Sequence, residues 1–233
     1  MRAAMSLPND DLKRAAGFAA VDRYVRDGTC IGLGTGTTAR WAVARVGERV
    51  AAGERIEAVA TSEATAAQCR ALGIPLVPYG VRDLDVAIDG ADEVAADWSL
   101  TKGGGGALFR EKAVALMARR FVVIVTPEKL VDRLGAFPTP VEVVPFALPY
   151  VLRRLGADFP SAVVRRREAG GAAYVTDNGN ALLDCAFGAI DDPAALDAAL
   201  RAIHGIVASG LFVGLTSAVV VATPDGVRHL NAP

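Results

Sequence analysis

Histidine is nearly absent from this 233-residue sequence, which holds only His204 and His229. A histidine-based nucleophilic triad or a histidine-rich metal site has almost nothing to draw on. Cysteine is as sparse. Cys30, Cys69 and Cys185 stand far apart, with no CxxC pair and no histidine close in sequence. That pattern disfavours a structural zinc site and fits reduced thiols in a cytosolic protein. Neither charge sign dominates: 25 Lys and Arg against 26 Asp and Glu give a net charge of −1. Sequence-independent nucleic-acid binding needs a clustered positive footprint, and none is present. The one basic cluster, Arg165-Arg166-Arg167, reads as a solvated strand end. Long apolar runs are scarce, with a single one at residues 206–222. Residues 1–11 contain no signal-peptide core. Residues 206–222, broken by Gly210 and Gly214 and rich in valine, suit two buried strands better than a membrane helix. The expectation is a cytoplasmic protein with neither a membrane nor a nucleic-acid partner.

Apolar residues are plentiful, at 52% of the chain, enough for one large domain or a medium domain with a small one. The first two-thirds alternates short apolar runs with helical patterns. Strands are predicted at 29–33, 56–60, 74–77, 84–88 and 121–125. Helices are predicted from Asn9 or Asp10, over 37–50, from a Ser62 cap through Leu72, and over 106–119. Alternation of this kind argues for an α/β fold with a mostly parallel sheet covered on both faces. Such sheets bind ligands at the carboxyl ends of their strands, where Thr35, Asp89 and Lys129 are expected to converge. From about Val131 the pattern becomes α+β. Strands are expected at 141–145, 161–167, 174–176 and 181–184, helices at 151–155 and 193–203, and a hairpin signal at Asp177-Asn-Gly-Asn180. The predicted organisation is a large domain of residues 1–130 plus 206–233 and a smaller lobe of 131–205, the last strands returning to the large sheet.

Two segments carry chemistry. Gly32-Leu-Gly34-Thr-Gly36-Thr37-Thr38-Ala39 follows a strand and opens a helix, a ready phosphate site. It also meets a loose dinucleotide fingerprint, but the acidic residue expected at the end of the second strand is missing, and Thr61-Ser62 stands there instead. Hydroxyls at Thr35, Thr37 and Thr38 favour a terminal phosphate over a pyrophosphate. A tight turn with no ligand is the alternative.

The second segment is Asp89-Gly-Ala-Asp-Glu93 followed by Lys102-Gly-Gly-Gly-Gly106 and Arg110-Glu111-Lys112. Four consecutive glycines carry a heavy entropic cost, so bare backbone is needed there, usually to bring N–H groups close to an anion or a reacting oxygen. Asp89 and Asp92 are placed to share one ligand. A magnesium ion would fit two carboxylates, but Lys102 supplies positive charge without one. Glu111, in a first helical turn, reads equally well as a helix-dipole partner and as a base.

These segments, with Lys129, Phe137-Pro-Thr-Pro-Val-Glu-Val-Val-Pro145, Asp177-Asn-Gly-Asn180 and Gly210-Leu-Phe212 through Pro224-Asp-Gly226, resemble ribose-5-phosphate isomerases of the A type over nearly the whole chain. The resemblance implies a Rossmann-like domain with a smaller, ferredoxin-like α+β lobe, assembled as a homodimer or homotetramer. It implies interconversion of D-ribose 5-phosphate and D-ribulose 5-phosphate in the non-oxidative pentose phosphate pathway, through an enediolate. Glu111 would be the proton acceptor, with Asp89, Asp92 and Lys102 as further catalytic groups. Substrate would be held by Thr35, Gly36, Thr37, Thr38, Asp89, Gly90, Ala91, Asp92, Lys102, Gly103, Gly104, Gly105 and Lys129, with Lys13 a further candidate at the phosphate. No metal, nicotinamide or other cofactor is implied. A sugar-phosphate sensor attached to a DNA-binding segment is the second reading; the short, base-poor N-terminal stretch disfavours it. A nucleotide-dependent oxidoreductase is the third, disfavoured by the absent ribose-binding acid.

Overall fold

The computed structural model describes residues 9–231, in two compact units. The larger is formed by the chain through Ala91, by Arg110–Leu130 and from Leu215 onward; the smaller by Asp92–Phe109 and Val131–Gly214.

The larger unit holds six strands, β1 (Cys30–Leu33), β2 (Glu57–Ala60), β3 (Val86–Asp89), β4 (Phe121–Val125), β5 (Ala218–Thr223) and β6 (Gly226–Asn231). Their spatial order is 2-1-3-4-5-6, the first five parallel and β6 antiparallel to β5. Every residue of β1, β3 and β4 is buried, as expected of parallel strands covered on both faces. The helices are α1 (Asn9–Tyr24), α2 (Ala39–Ala51), α3 (Glu63–Ala71) and α4 (Leu108–Met117). Alternation along the strands sends Ile31, Leu33, Val86, Ile88, Val122 and Ile124 into one core with α1 and α2. Each such side chain contributes about 1.5–3 kcal/mol by leaving water. The other face presents Gly32 to α4, so closely that a Cβ there would lie 2.3 Å from Val114 Cγ1.

Helix boundaries follow local chemistry. Ser62 caps α3 by accepting from Thr65 N at 3.0 Å, and Gly73 follows its C-cap in the left-handed region, φ 69°. Strand order reverses between β1 and β3, and sheets of this order bind ligands in the crevice at that switch point.

The smaller unit has an antiparallel sheet of Thr139–Val143, Val163–Arg166, Ala181–Ala186 and Ile206–Ser209. Numbered along the chain, these lie in the order 4-1-3-2. Helices Leu148–Asp158 and Pro193–Arg201 pack Val151, Leu155 and Leu200 against Val141, Val143, Leu183 and Cys185. A three-stranded sheet of Glu93–Val94, Leu100–Thr101 and Leu211–Phe212 completes the unit. Glu142 is fully buried, and its Oε1 accepts from Thr176 Oγ1 and from the Asn178 and Asn180 amides at 3.0, 3.0 and 2.9 Å. One carboxylate thus closes the turn that the Asp177-Asn-Gly-Asn180 signal announced.

Three sequence expectations differ from this fold. Residues 74–77 form only a single bridge, Ala58 with Leu76. Pro75 has no N–H to extend a ladder. Tyr174-Val-Thr176 is not a strand. Gly170 and Gly171, both at positive φ, close a shorter hairpin of Glu168–Ala169 with Ala172–Ala173 just before it. Ile206–Ser209 does not return to the large sheet but pairs with Thr139–Val143; only β5 and β6 return.

Candidate active site

In the larger unit the glycine-rich turn leaves β1 beside the end of β3. Gly34 N donates to Ile88 O at 3.0 Å. Asp89, the last residue of β3 and buried, accepts at Oδ1 from Thr35 N at 3.2 Å and Gly90 N at 2.7 Å. Only a bare α-carbon fits between them: a Cβ on Gly34 would lie 2.0 Å from both Cγ and Oδ1 of Asp89. Gly36 takes φ 121°, which favours glycine, and α2 begins three residues on. Thr38, its N-cap residue, makes no side-chain cap bond. Its hydroxyl and that of exposed Thr37 stand at a helix N-terminus, where an anion is favoured.

Thr35 is placed differently. Its Oγ1 lies 2.7 Å from Thr61 Oγ1, 2.8 Å from Ser62 Oγ and 3.0 Å from Thr65 Oγ1. Its proton goes to Ser62, Ser62 donates to Thr65 at 3.1 Å, and Thr65 donates to Gly34 O at 2.9 Å. The hydroxyl of Thr35 is therefore spent tying the turn to the start of α3. Thr65→Val keeps the volume and removes the link to Gly34 O. It is expected to cost about 1–3 kcal/mol in stability, the usual penalty for unpairing buried polar groups. The KM for a phosphorylated substrate should rise several-fold with kcat little changed. Thermal unfolding and steady-state kinetics check both, and an unchanged KM would remove the hydroxyl chain from substrate binding.

Glu111 lies in the first turn of α4 and is 3% exposed. Consecutive helical residues sit about 100° apart. That is why Arg110 reaches outward to Glu63, Nη1 to Oε1 at 2.9 Å, while Glu111 is sequestered. Lys129 ends a short 3-10 turn, Pro127–Lys129, directly after β4.

The smaller unit carries the remaining groups. Asp92 accepts at Oδ2 from Gly104 N at 2.8 Å. Lys102 is buried, its N–H bonded to Gly210 O at 2.8 Å and its Nζ 5.5 Å from the centre of the Phe212 ring. Gly103 takes φ 101°, and a Cβ on Gly104 would meet Asp92 Oδ1 at 2.6 Å. Gly106, at φ 83°, lies against the Tyr174 ring, where a Cβ would be 2.2 Å from its hydroxyl. Each of these glycines answers a definite conformational or steric demand.

Residues 57–226 match the family model described as ribose 5-phosphate isomerase A (phosphoriboisomerase A). Ribose-5-phosphate isomerase A of Roseiflexus sp. (strain RS-1) is 49% identical over 229 residues, covering 97% of this chain and 98% of that one. The chain belongs to the ribose 5-phosphate isomerase A family. Among solved structures, ribose 5-phosphate isomerase A from Methanocaldococcus jannaschii matches with a TM-score of 0.90 at 38% identity, over 96% of this chain and all of the other. A D-ribose-5-phosphate isomerase in complex with phospho-erythronic acid matches with a TM-score of 0.91 at 35% identity, over 97% and 100%.

Within this isomerase framework the structure brings Thr35, Asp89 and Gly90 together at the switch point. It brings Asp92 together with the Lys102–Gly105 loop in the other unit. Glu93, third carboxylate of the acidic run, has a purely internal set of partners: Thr101 Oγ1 at 2.9 Å, Gly135 N at 3.0 Å and Phe137 N at 2.8 Å. It anchors the loop before Thr139–Val143.

Arg167 corrects the reading of the basic cluster. Arg165 and Arg166 are exposed, but Arg167 is ion-paired with Asp184, Nε to Oδ2 at 2.9 Å, and donates to the carbonyls of Gly103 and Gly104 at 2.8 and 3.1 Å. It fixes the glycine loop from behind. Its neighbours in sequence hid it: it lies just past the strand Val163–Arg166, so strand alternation does not single it out. The sequence is equally silent about the Thr61, Ser62 and Thr65 hydroxyls, because their partner Thr35 lies in another turn. Among the described residues no three His, Cys, Asp or Glu side chains are grouped to hold a metal ion. No helix there is long and apolar enough to cross a membrane.

Proposed function

We propose that this chain interconverts D-ribose 5-phosphate and D-ribulose 5-phosphate by proton transfer through an enediolate. The observation that carries the reading is a buried carboxylate, Glu111, in a chain of this family whose glycine-rich turn and Asp89 are hydrogen-bonded together at the switch point of the sheet. The phosphate would rest on Thr37, Thr38 and the N-terminus of α2, with Lys129 adding positive charge. Once the sugar ring opens, Glu111 takes the proton from C2. The C2–H electron pair forms the C1–C2 double bond and the carbonyl π pair moves onto O1; the O2 hydroxyl proton passes to O1 as C2 becomes the carbonyl, and the same carboxyl returns its proton to C1. Negative charge on the oxygens would be met by Lys102 and the N–H groups of the glycine run, an interaction that strengthens as the charge develops. Asp89 and Asp92 would handle the sugar hydroxyls during ring opening and proton exchange.

Two further points support this reading. The end of β2 carries Thr61 and Ser62, both engaged with Thr35, where a dinucleotide site would need a ribose-binding acid. Phospho-erythronic acid, bound by the structural relative, joins a phosphate to a carboxylate whose two planar oxygens resemble those of an enediolate.

The hydrogen moves as a proton in this scheme, so no cofactor takes part. Purified protein mixed with ribose 5-phosphate is expected to form ribulose 5-phosphate at an unchanged rate after exhaustive EDTA treatment. A flat trace with untreated protein would shift the assignment to a sugar-phosphate sensor. Activity lost to EDTA and restored by magnesium would overturn the metal-free step.

A further inference from the structure

At the amino ends of β4 and β5, the sheet edge opposite to the one carrying Thr35 and Asp89, the larger unit has an open cavity of about 700 Å3. Its size is within the range of small-molecule sites. Arg23 and Arg26 from the end of α1, Arg120 before β4, Ser217 before β5 and Asn231 at the end of β6 line it, with Tyr24 forming a wall. No acidic residue does. None of the three guanidinium groups pairs with a carboxylate among the described residues, whereas the neighbouring acids are committed elsewhere, Asp22 to Arg45 and Asp27 to Arg55.

Part of this charge has a structural use. Arg26 Nη1 donates to Val25 O at 2.9 Å at the end of α1, as a cation at a helix C-terminus is expected to do. That leaves Arg23 and Arg120, and most of the Arg26 donors, facing the cavity region. A second observation points the same way. Tyr24 Oη and His229 Nδ1 are buried with no hydrogen-bond partner, and their rings are 6.1 Å apart. Of the two residues only Tyr24 lines the cavity, and a buried polar atom without a partner commonly marks an absent water or ligand. Burial pushes the His229 imidazole below its ordinary value, and the charge of Arg23 adds to that, a sign of positive potential at this edge.

We infer that this cavity binds a small phosphorylated anion, held by Arg23, Arg26 and Arg120, at a site separate from the isomerase centre. Guanidinium groups suit phosphate oxygens through paired N–H donors, and Ser217 and Asn231 add neutral hydrogen-bonding groups.

Calorimetric titration of the whole chain with inorganic pyrophosphate tests the inference, with the Arg23→Ser/Arg120→Ser double variant alongside. The expected result is sub-millimolar binding to the native chain at low ionic strength and at least ~10-fold weaker binding to the double variant, the loss of two charged contacts. Turnover without pyrophosphate should be the same in both. If the double variant does not fold, Arg120→Ser alone serves, because its exposed side chain makes no ion pair. Titration of Thr38→Ala distinguishes the phosphate turn of the catalytic centre, and binding at the new cavity should persist there. Undiminished binding in the arginine variants overturns the proposal. So does native-chain binding only above about 10 mM, which means an adventitious ion only.

Discussion

Glu111→Gln is expected to lower kcat by at least ~10²-fold, the low end for loss of a general base, while KM stays within a few-fold. The amide fills the same volume in the first turn of α4, in a position where the native side chain is almost wholly buried. It cannot take a proton at the pH of the reaction. Packing and substrate contacts should therefore survive, and the loss should fall on the step in which the C2 hydrogen leaves. Exchange of that hydrogen with deuterated water gives an independent readout: it should slow by the same factor as turnover. Near-native turnover in the variant would remove Glu111 from the mechanism. Normal exchange with poor turnover would place its role after proton abstraction.

Gly34→Ala should be of comparable size although it touches no ionisable group. Gly34 is not at positive φ, so alanine meets no backbone penalty there. The cost is steric: the new methyl would lie 2.0 Å from Asp89 Cγ and Oδ1. Asp89 must leave the N–H groups of Thr35 and Gly90, or the turn must back away from β3. Either movement separates the turn proposed to hold the phosphate from the carboxylate proposed to meet the sugar, and misplacements near 1 Å are known to cost about 10² in rate. We expect kcat/KM to fall by at least that factor, with kcat and KM both affected. Steady-state kinetics beside thermal unfolding gives the decision. A folded variant with native kcat/KM would show that contact between the turn and Asp89 has no bearing on catalysis.

Much of this site was legible in the sequence because its demands are local. Gly36 must adopt a left-handed conformation, a strand must precede the turn and a helix must follow it, and these requirements leave signatures over a few residues. The α/β pattern was readable for the same reason, since parallel strands buried on both faces are short, wholly apolar runs. What escaped were pairings made across the chain. Nothing in Arg165-Arg166-Arg167 tells which arginine turns inward to hold the carbonyls of Gly103 and Gly104. Nothing in Thr61-Ser62 announces that Thr35, 26 residues earlier, is bound there. Ile206–Ser209 read as apolar and extended, which it is; its partner, Thr139–Val143, depends on a contact more than 60 residues away in sequence. The glycine whose reason was least visible was Gly34, because its constraint lies in another strand.

β1 and β3 are hydrogen-bonded neighbours, so the turn that would hold a phosphate and the carboxylate that would meet the sugar hang from adjacent rungs of one ladder. Their offset follows from the spacing of parallel strands, about 4.8 Å, which substitutions in the walls around the sugar leave in place. The sheet itself becomes a ruler for the distance between a terminal phosphate and the carbons to be transformed. Selectivity for chain length would then be written in backbone, and evolution could retune the walls around a sugar without resetting its measure.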